Sequence, residues 1–301
     1  MIKNKKIIVT GGNGFIGSHI VDRLAKSNQV HVIDNLSSDA AEKFYYNENA
    51  TYHEADITDY EAIKNIFTDT DYVFHLAAEA RIQPTLINPI LAAKSNMLGT
   101  CTVLQCSREA KVKRVIYSST SSAYGLKNSP PLNEEMPNDC LNPYSVTKTG
   151  GEELCKMFTN LFDVETVILR YFNVYGDRSP LRGQYAPVVG IFMRQTRNNE
   201  PMTIIGDGEQ RRDFTHVEDI VEANVRAAES GNSKIIGKTI NVGTGTNYSI
   251  VEVANMIGNM TVHLPKRKAE ADITLADNTR LKEWLNFTPT DKLKEYIDGS
   301  R

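Results

Sequence analysis

Long apolar runs are missing from this sequence. No stretch approaches the roughly 18 consecutive apolar residues of a membrane-spanning helix, so no span is expected. Cysteine is scarce, with four residues at 101, 106, 140 and 155. None forms a CxxC pair, so neither a zinc site nor a disulfide framework is suggested, and no metal site is expected. Charge of one sign is also lacking. The net charge is −3 and the pI about 6.1, which leaves no basic surplus for nucleic acid, and no long charged tail is present. The start, MIKNKKIIVTGG, is basic and then apolar, but the run IIV before Gly-Gly is too short for a secretory signal. A cytoplasmic protein with no nucleic-acid or membrane partner is expected. There is no internal repeat, low-complexity tract or Pro/Gly/Ser linker. With 41% hydrophobic and 24% charged residues, the 301-residue chain is of ordinary globular composition. Its length suits two domains, or one α/β domain with an elaborated lobe.

What is present is alternation. Short β-branched runs at Lys6–Thr10, Gln29–Asp34, Thr51–Asp56, Tyr72–Leu76, Lys113–Ser119 and Glu165–Tyr171 read as strands. Between them lie helical patterns: the segment opening at Gly14 with apolar residues at 15, 16, 20, 21 and 24, a helix near 60–67, one long helix from Pro89 to about Ala110, and another over 144–162. This implies an α/β fold, a Rossmann-type doubly wound parallel sheet covered on both faces. After Tyr175 the regularity breaks into polar loops, helices near 186, 216–229 and 249–257, and a strand at Lys238–Val242. A small C-terminal α/β lobe is expected there. The expected division is a nucleotide domain over 1–172, with about 213–245 returning to it, and a substrate lobe mainly over 173–301.

Residues 10–17, TGGNGFIG, follow a strand and open a helix. Glycines at 11, 14 and 17 permit a tight turn, close backbone approach to a pyrophosphate and close helix packing. The helix N-terminus offers free N–H groups to phosphate. A lone glycine triad is weak evidence, but this one sits in strand–turn–helix context, with Asp34 ending the next strand. Asp34 would accept hydrogen bonds from a ribose diol and repel a 2′-phosphate, which favours NAD over NADP. Asp56 ends the third strand in a similar way.

Residues 143–148 read PYSVTK. Tyr144 and Lys148 are one helical turn apart and share a face. A cationic Lys beside a phenol lowers its pKa, and the resulting phenolate is a candidate general base. Such a pair is common on ordinary helices; its weight comes from the glycine loop upstream. Residues 117–125, YSSTSSAYG, place a cluster of hydroxyls at the end of the fifth strand, the edge where ligands bind in open α/β sheets.

Taken together, TGGNGFIG, the Asp after the second strand, HLAA at 75–78, the Asn of SNMLGT, the hydroxyl cluster before YG, and YxxxK resemble the extended short-chain dehydrogenases/reductases, the NAD-dependent epimerase/dehydratase family. LRYFNVYG, GDGEQRRDFTHVED and PKRKAEADITLAD extend the resemblance along essentially the whole chain, toward UDP-glucose/UDP-N-acetylglucosamine 4-epimerases. The resemblance implies Tyr144 as base, Lys148 on the nicotinamide ribose and Thr120 completing the catalytic set, with Ser121 or Ser122 as a fallback proton relay. It implies NAD contacts from Gly11, Asn13, Gly14, Phe15, Ile16, Gly17, Asp34, Asn35, Asp56, Ile57, Leu76, Ala77, Ala78, Asn96, Ser118 and Tyr171. The implied partner is a UDP-sugar held by Arg81, Thr120, Ser121, Ser122, Tyr144, Asn173, Tyr185, Arg212, Arg267, Glu270 and Thr274. The family's Arg-x-Gly-acid appears here as Arg267-Lys-Ala-Glu270, a departure in that loop. A homodimer through a four-helix bundle, from the helices at about 89–110 and 144–162, is expected by analogy.

The implied reaction is NAD-dependent 4-epimerisation of UDP-hexoses through a 4-keto sugar. Related dehydratases carry acids directly after the Thr, as in TDEVYG or TSE. Here Ser121 and Ser122 stand in those places, so elimination is not expected. Uronate 4-epimerases tend to have Thr at the position of Asn173 and Arg at that of Pro180, which favours a neutral sugar here, although Arg81 or Arg178 could meet a carboxylate. A large Tyr at the position of Thr274 excludes N-acetyl groups in relatives; the small Thr predicts that they are tolerated. A non-catalytic NAD-binding sensor is disfavoured, because such proteins usually lose the Tyr or the Lys.

Overall fold

The computed structural model describes residues 2–38, 43–181, 187–266 and 271–300. Seven strands form the main sheet: β1 (Lys6–Thr10), β2 (Gln29–Asp34), β3 (Ala50–Glu54), β4 (Tyr72–His75), β5 (Arg114–Thr120), β6 (Thr166–Tyr171) and β11 (Lys238–Val242). Their order is β11-β6-β5-β4-β1-β2-β3, and every pairing is parallel. Strands β1, β5 and β6 are buried almost end to end, as their near-continuous apolar character demands in a sheet covered on both faces. The order reverses between β1 and β4, and this switch point opens a crevice at the C-terminal strand ends.

One face is covered by α1 (Phe15–Leu24), α8 (Val217–Glu229) and α10 (Thr279–Leu285). The other carries α2 (Tyr60–Ile63), α5 (Gly99–Glu109) and α6 (Pro143–Phe162). The single helix expected from Pro89 differs in the structure. A separate helix α3 (Ile82–Ile87) precedes α4 (Pro89–Ala93), and a π turn at Lys94–Leu98 leads into α5. Thr100 and Thr102 turn their hydroxyls back onto the carbonyls of Asn96 and Leu98, a competition for backbone acceptors that periodicity does not reveal. The fifth strand runs one residue further than expected, through Thr120, before a 3₁₀ turn at Ser121–Tyr124.

The remaining chain forms a lobe around its own core. Strands β7 (Val174–Tyr175), β8 (Met202–Ile205), β9 (Arg211–Asp213), β10 (Thr215–His216), β12 (Asn247–Ser249) and β13 (Thr261–Leu264) pair as three short ribbons. Helices α7 (Val188–Arg197), α9 (Ile250–Ile257) and α11 (Leu293–Gly299) pack Phe192, Val253 and Ile297 around Met202 and Ile204. Helix α9 begins with a reciprocal Ser249–Glu252 capping box and ends on Gly258 in the left-handed region. No helix among the described residues is long and apolar enough to cross a membrane.

Candidate active site

A cavity of about 580 Å³ spans the C-terminal ends of the main strands, from Gly11 and Asp34 at one end to Arg212 and Thr274 at the other. At the first end Gly11 has φ +70°, and a Cβ there would lie 2.7 Å from the Ala77 nitrogen. A Cβ on Gly17 would lie 2.2 Å from the Gly11 carbonyl oxygen, so helix and turn touch where that glycine sits. Gly14 differs: its Cβ would meet only the Gly11 oxygen, at 3.4 Å. Its bare face therefore opens on the cavity, which it lines with Phe15, Ile16 and Gly17. A dinucleotide fits this cradle, because backbone at Gly14 and the start of α1 is exposed where a pyrophosphate would rest.

Asp34 lines the same end with Asn35, Asp56 and Ile57. Its carboxylate accepts from the amides of Asn13 (3.1 Å) and Leu36 (3.0 Å), which pull its pKa down, while burial wins and raises it. Lone pairs remain on both oxygens for a ribose diol. Asn13 does not line the cavity. It bonds Asp34 through its amide and the Tyr45 carbonyl through Nδ2, so it braces the loop that presents Asp34. Asn96, buried in the π turn, acts similarly. Its side chain takes the Glu79 amide (2.7 Å) and donates to the Glu79 carbonyl and the Thr147 hydroxyl, tying the segment after β4 to α6. Leu76, Ala77 and Ala78 line the cavity with little bulk. His75 lies behind them, bonded to Thr10 (2.7 Å) and Thr100 (3.0 Å), and burial pulls its pKa down to about 3. It is a neutral structural side chain.

At the centre, Asn142 caps α6 with a reciprocal bond to Ser145, and Pro143 occupies the first turn. This fixes Tyr144 and Lys148 on the cavity wall beside Ser118, Thr120 and Tyr171. The Thr120 hydroxyl is hydrogen-bonded to the Tyr144 phenol and lowers its pKa, but burial dominates and leaves it above the ordinary value. The lowering expected from Lys148 is absent: Thr120 alone pulls the phenol down, and burial desolvates the Lys148 ammonium itself, to a pKa of about 8. Its Nζ stands 4.3 Å from the centroid of the Tyr117 ring. Tyr171 bonds Ser118 (2.8 Å) and Asn224, and its pKa is pushed up to about 12 by burial.

Toward the lobe, Arg81, Ser121, Ser122, Asn173, Arg212 and Thr274 all line the cavity. Buried Asp213 accepts from Thr244, Gly245 and Ala276, fastening the 271–276 segment against β9. Thr274 accepts from the Asp213 amide (3.2 Å) and from Asn173 Nδ2 (3.1 Å), so its methyl and hydroxyl are held on the wall. Arg212 Nη1 donates to the carbonyls of Arg211 and Asp272. Arg178 is engaged elsewhere, paired with Asp22 at 2.6 Å, and does not line this cavity. Tyr185, Arg267 and Glu270 lie outside the described residues.

Sequence reasoning missed several lining residues: Glu79, Gln83 and Phe214. Glu79 and Gln83 follow HLAA directly, which was a usable signal. It also missed Glu152, four residues past Lys148, and its partner Arg170 beneath the site.

The family model for NAD dependent epimerases/dehydratases matches residues 7–243. The chain belongs to the NAD dependent epimerase/dehydratase family. It is therefore an NAD-dependent enzyme of that family, on a Rossmann-type frame. A UDP-N-acetylglucosamine 4-epimerase from Methanobrevibacter ruminantium M1, solved with UDP-N-acetylmuramic acid, superposes with a TM-score of 0.92 at 35% identity, covering 99% of this chain and 97% of that one. A UDP-glucose 4-epimerase from Thermotoga maritima, solved with UDP-glucose, gives a TM-score of 0.91 at 35% identity over 97% and 96% of the two chains. A UDP-N-acetyl-alpha-D-glucosaminuronate decarboxylase from Bacillus cytotoxicus is 34% identical over 99% of this chain and 98% of its own. The relatives thus share the frame but differ in sugar and outcome.

Proposed function

We propose that this protein is an NAD-dependent 4-epimerase of UDP-hexoses, interconverting UDP-glucose with UDP-galactose and the corresponding N-acetylated pair. The observation that carries this reading is the meeting of Tyr144, Lys148 and Thr120 beside the glycine-loop cavity, with serines rather than acids at 121 and 122. Gly11 and the Gly14–Gly17 turn would hold the pyrophosphate of NAD, Asp34 the adenosine ribose, and Lys148 the nicotinamide ribose. When bound, NAD supplies a hydride acceptor for C4′, a hydride donor for the return step, and a positive charge near Tyr144.

The chain's own residues do the rest. Tyr144 removes the proton of the 4′-hydroxyl and returns it to the same oxygen after the 4-keto sugar has turned over to offer the other face of C4′. Thr120 sits between sugar oxygen and phenol, able to donate to one while accepting from the other. Ser121 and Ser122 carry no carboxyl group with which to drive elimination. Asn173 and Arg212 face the diphosphate and sugar, and Arg suits a phosphate contact. In this reading residues 1–172 and about 213–245 hold the nucleotide, and 173–301 mainly the UDP-sugar.

A UDP-glucuronate 4-epimerase is the second reading. Arg81 on the cavity wall favours it; Pro180, where uronate enzymes tend to carry Arg, opposes it. The same proposal places the enzyme in the cytoplasm as a homodimer. Ile87 (78% exposed) and Ile90 (81%) on α3 and α4, with Leu98 and Val146 nearby in the fold, leave apolar surface that a bundle with a second copy would cover.

The test is a panel of UDP-glucose, UDP-N-acetylglucosamine and UDP-glucuronate followed by NMR for the 4-epimer. Conversion of the two neutral sugars is expected, and Tyr144→Phe should lower it by about 10²-fold or more. Turnover of UDP-glucuronate alone would select the second reading. Unchanged turnover in Tyr144→Phe would remove Tyr144 as the base.

A further inference from the structure

Beneath the cavity floor lies an ion pair that the proposed reaction does not use. Arg170 and Glu152 are almost wholly out of solvent, with side chains 4% and 0% exposed. Glu152 Oε1 accepts Arg170 Nε at 2.8 Å and the Ser119 hydroxyl at 2.5 Å, while Oε2 accepts Arg170 Nη2 at 2.7 Å. Ser119 and Arg170 are cross-strand neighbours on β5 and β6, so both reach the same face of α6. Arg170 Nη2 also donates to Asn138, and the guanidinium lies 4.7 Å from the centroid of the Tyr124 ring. Burying such a pair is not in itself a source of stability.

Its place on α6 gives it another consequence. Glu152 is one turn beyond Lys148 and on the same inward stripe. Lys148 is buried, with 3% of its surface exposed, yet its ammonium has no ion-pair partner among the described residues. The groups acting on it are the Tyr117 ring, the Cys155 thiol, neutral His75 and Glu152; Tyr144 is one turn before it on the helix. Of these Glu152 is the one carboxylate. A free Glu and a free Lys one turn apart attract each other, and poor solvation strengthens the attraction.

We propose that Arg170, aided by Ser119, is a positioning residue that occupies both carboxylate oxygens of Glu152 and so keeps the Lys148 ammonium free to face the cavity. The inference rests on the role given to Lys148 above. Without Arg170, the Glu152 carboxylate turns one helical turn back and captures Lys148. The ammonium then leaves the nicotinamide ribose and the Tyr144 phenol.

The test compares wild type, Arg170→Met and the double variant Arg170→Met/Glu152→Gln. The first readout is the titration of Lys148 in NAD-stripped protein, followed by NMR of ¹³Cε-labelled lysine and identified by the signal lost in Lys148→Met. An opposite charge favours the charged form, so the Lys148 midpoint should rise by about one pH unit or more in Arg170→Met. The second readout is NAD affinity, which should weaken about tenfold, a loss of roughly 1.4 kcal/mol. Both should return toward wild type in the double variant. An unmoved Lys148 midpoint in Arg170→Met, or a double variant as weak for NAD as the single one, overturns the proposal. If Arg170→Met does not fold, Ser119→Ala removes one of the three bonds to Glu152; its Lys148 midpoint should rise by a smaller amount, and no rise overturns the proposal. A wild type that does not bind NAD defeats the functional reading instead, while the lysine titration still judges the Arg170–Glu152 pair.

Discussion

Tyr144 and Lys148 respond to the same burial in ways that both favour their neutral forms. The phenol is pushed up and the ammonium down, to about 8. For Lys148 this is also a statement about stability. Its folded pKa lies below its ordinary 10.5, so between about 8 and 10.5 the unfolded chain binds more protons and stability rises with pH. Below pH 8 the full cost of burying the charge is present, on the order of 3 kcal/mol. Lys148→Met should therefore be more stable than wild type at pH 7 in NAD-stripped protein, and the gap should shrink toward pH 10. Urea denaturation at the two pH values checks this; a gap that widens with pH would contradict it. Thr274 makes a different residue-scale test. Its hydroxyl accepts from Asp213 and Asn173, so the wall there is small and fixed. Thr274→Tyr should lower kcat/KM for UDP-N-acetylglucosamine about tenfold more than for UDP-glucose, consistent with lost pocket volume. Equal losses for both sugars would mean that the position does not read the 2′ substituent. Tyr144 and Lys148 were legible as a spaced pair, and Thr120 by counting back from Tyr124. Glu152 was not, because its partners Ser119 and Arg170 come from two strands distant in sequence from its helix.

At the scale of elements, α6 carries most of the chemistry. It presents Tyr144, Lys148 and Glu152 inward at helical spacing, and Gly151 allows it to lie close on β5. A Cβ on Gly151 would fall 2.1 Å from the Tyr117 hydroxyl, which is buried and donates to the Lys148 carbonyl. Gly151→Ala should therefore destabilise the protein by about 1–3 kcal/mol through overpacking, although Ala is the better helix former. Thermal and urea denaturation decide it, and an unchanged or raised midpoint would show that Tyr117 yields. The strands were readable because each is a short apolar run between turn residues. The region from Ile82 to Leu98 was not. Its π turn holds Asn96 inward against Glu79 and Thr147, contacts made across the fold.

For the whole molecule, the return of chain after the lobe completes the sheet: β11 pairs with β6, and α8 packs against the first face. That return suspends the lobe over the strand ends and closes the cavity from above with Arg212, Phe214 and Thr274. Apolar surface at Ile87, Ile90 and Leu98 remains open. If two copies meet there, Ile90→Glu should convert a dimer to a monomer, since a charge in an apolar interface is costly. Light scattering after size exclusion measures the mass. A wild-type monomer, or a dimer unaffected by the substitution, would place any association elsewhere.

The sequence by itself determined the strand–helix alternation, the glycine turn with Asp34, and the Tyr–Lys pair. Each of these is a local pattern, set by the period of a helix or strand, by the backbone freedom of glycine, or by a spacing of one helical turn. Tertiary structure alone decided which polar residues face the cavity and which brace it from behind. Asn13 and Asn96 turned out to be braces, His75 a neutral strut, and Glu152 a carboxylate held beneath Lys148. Those roles depend on burial and on partners from distant strands, and neither is encoded in the spacing of neighbouring residues.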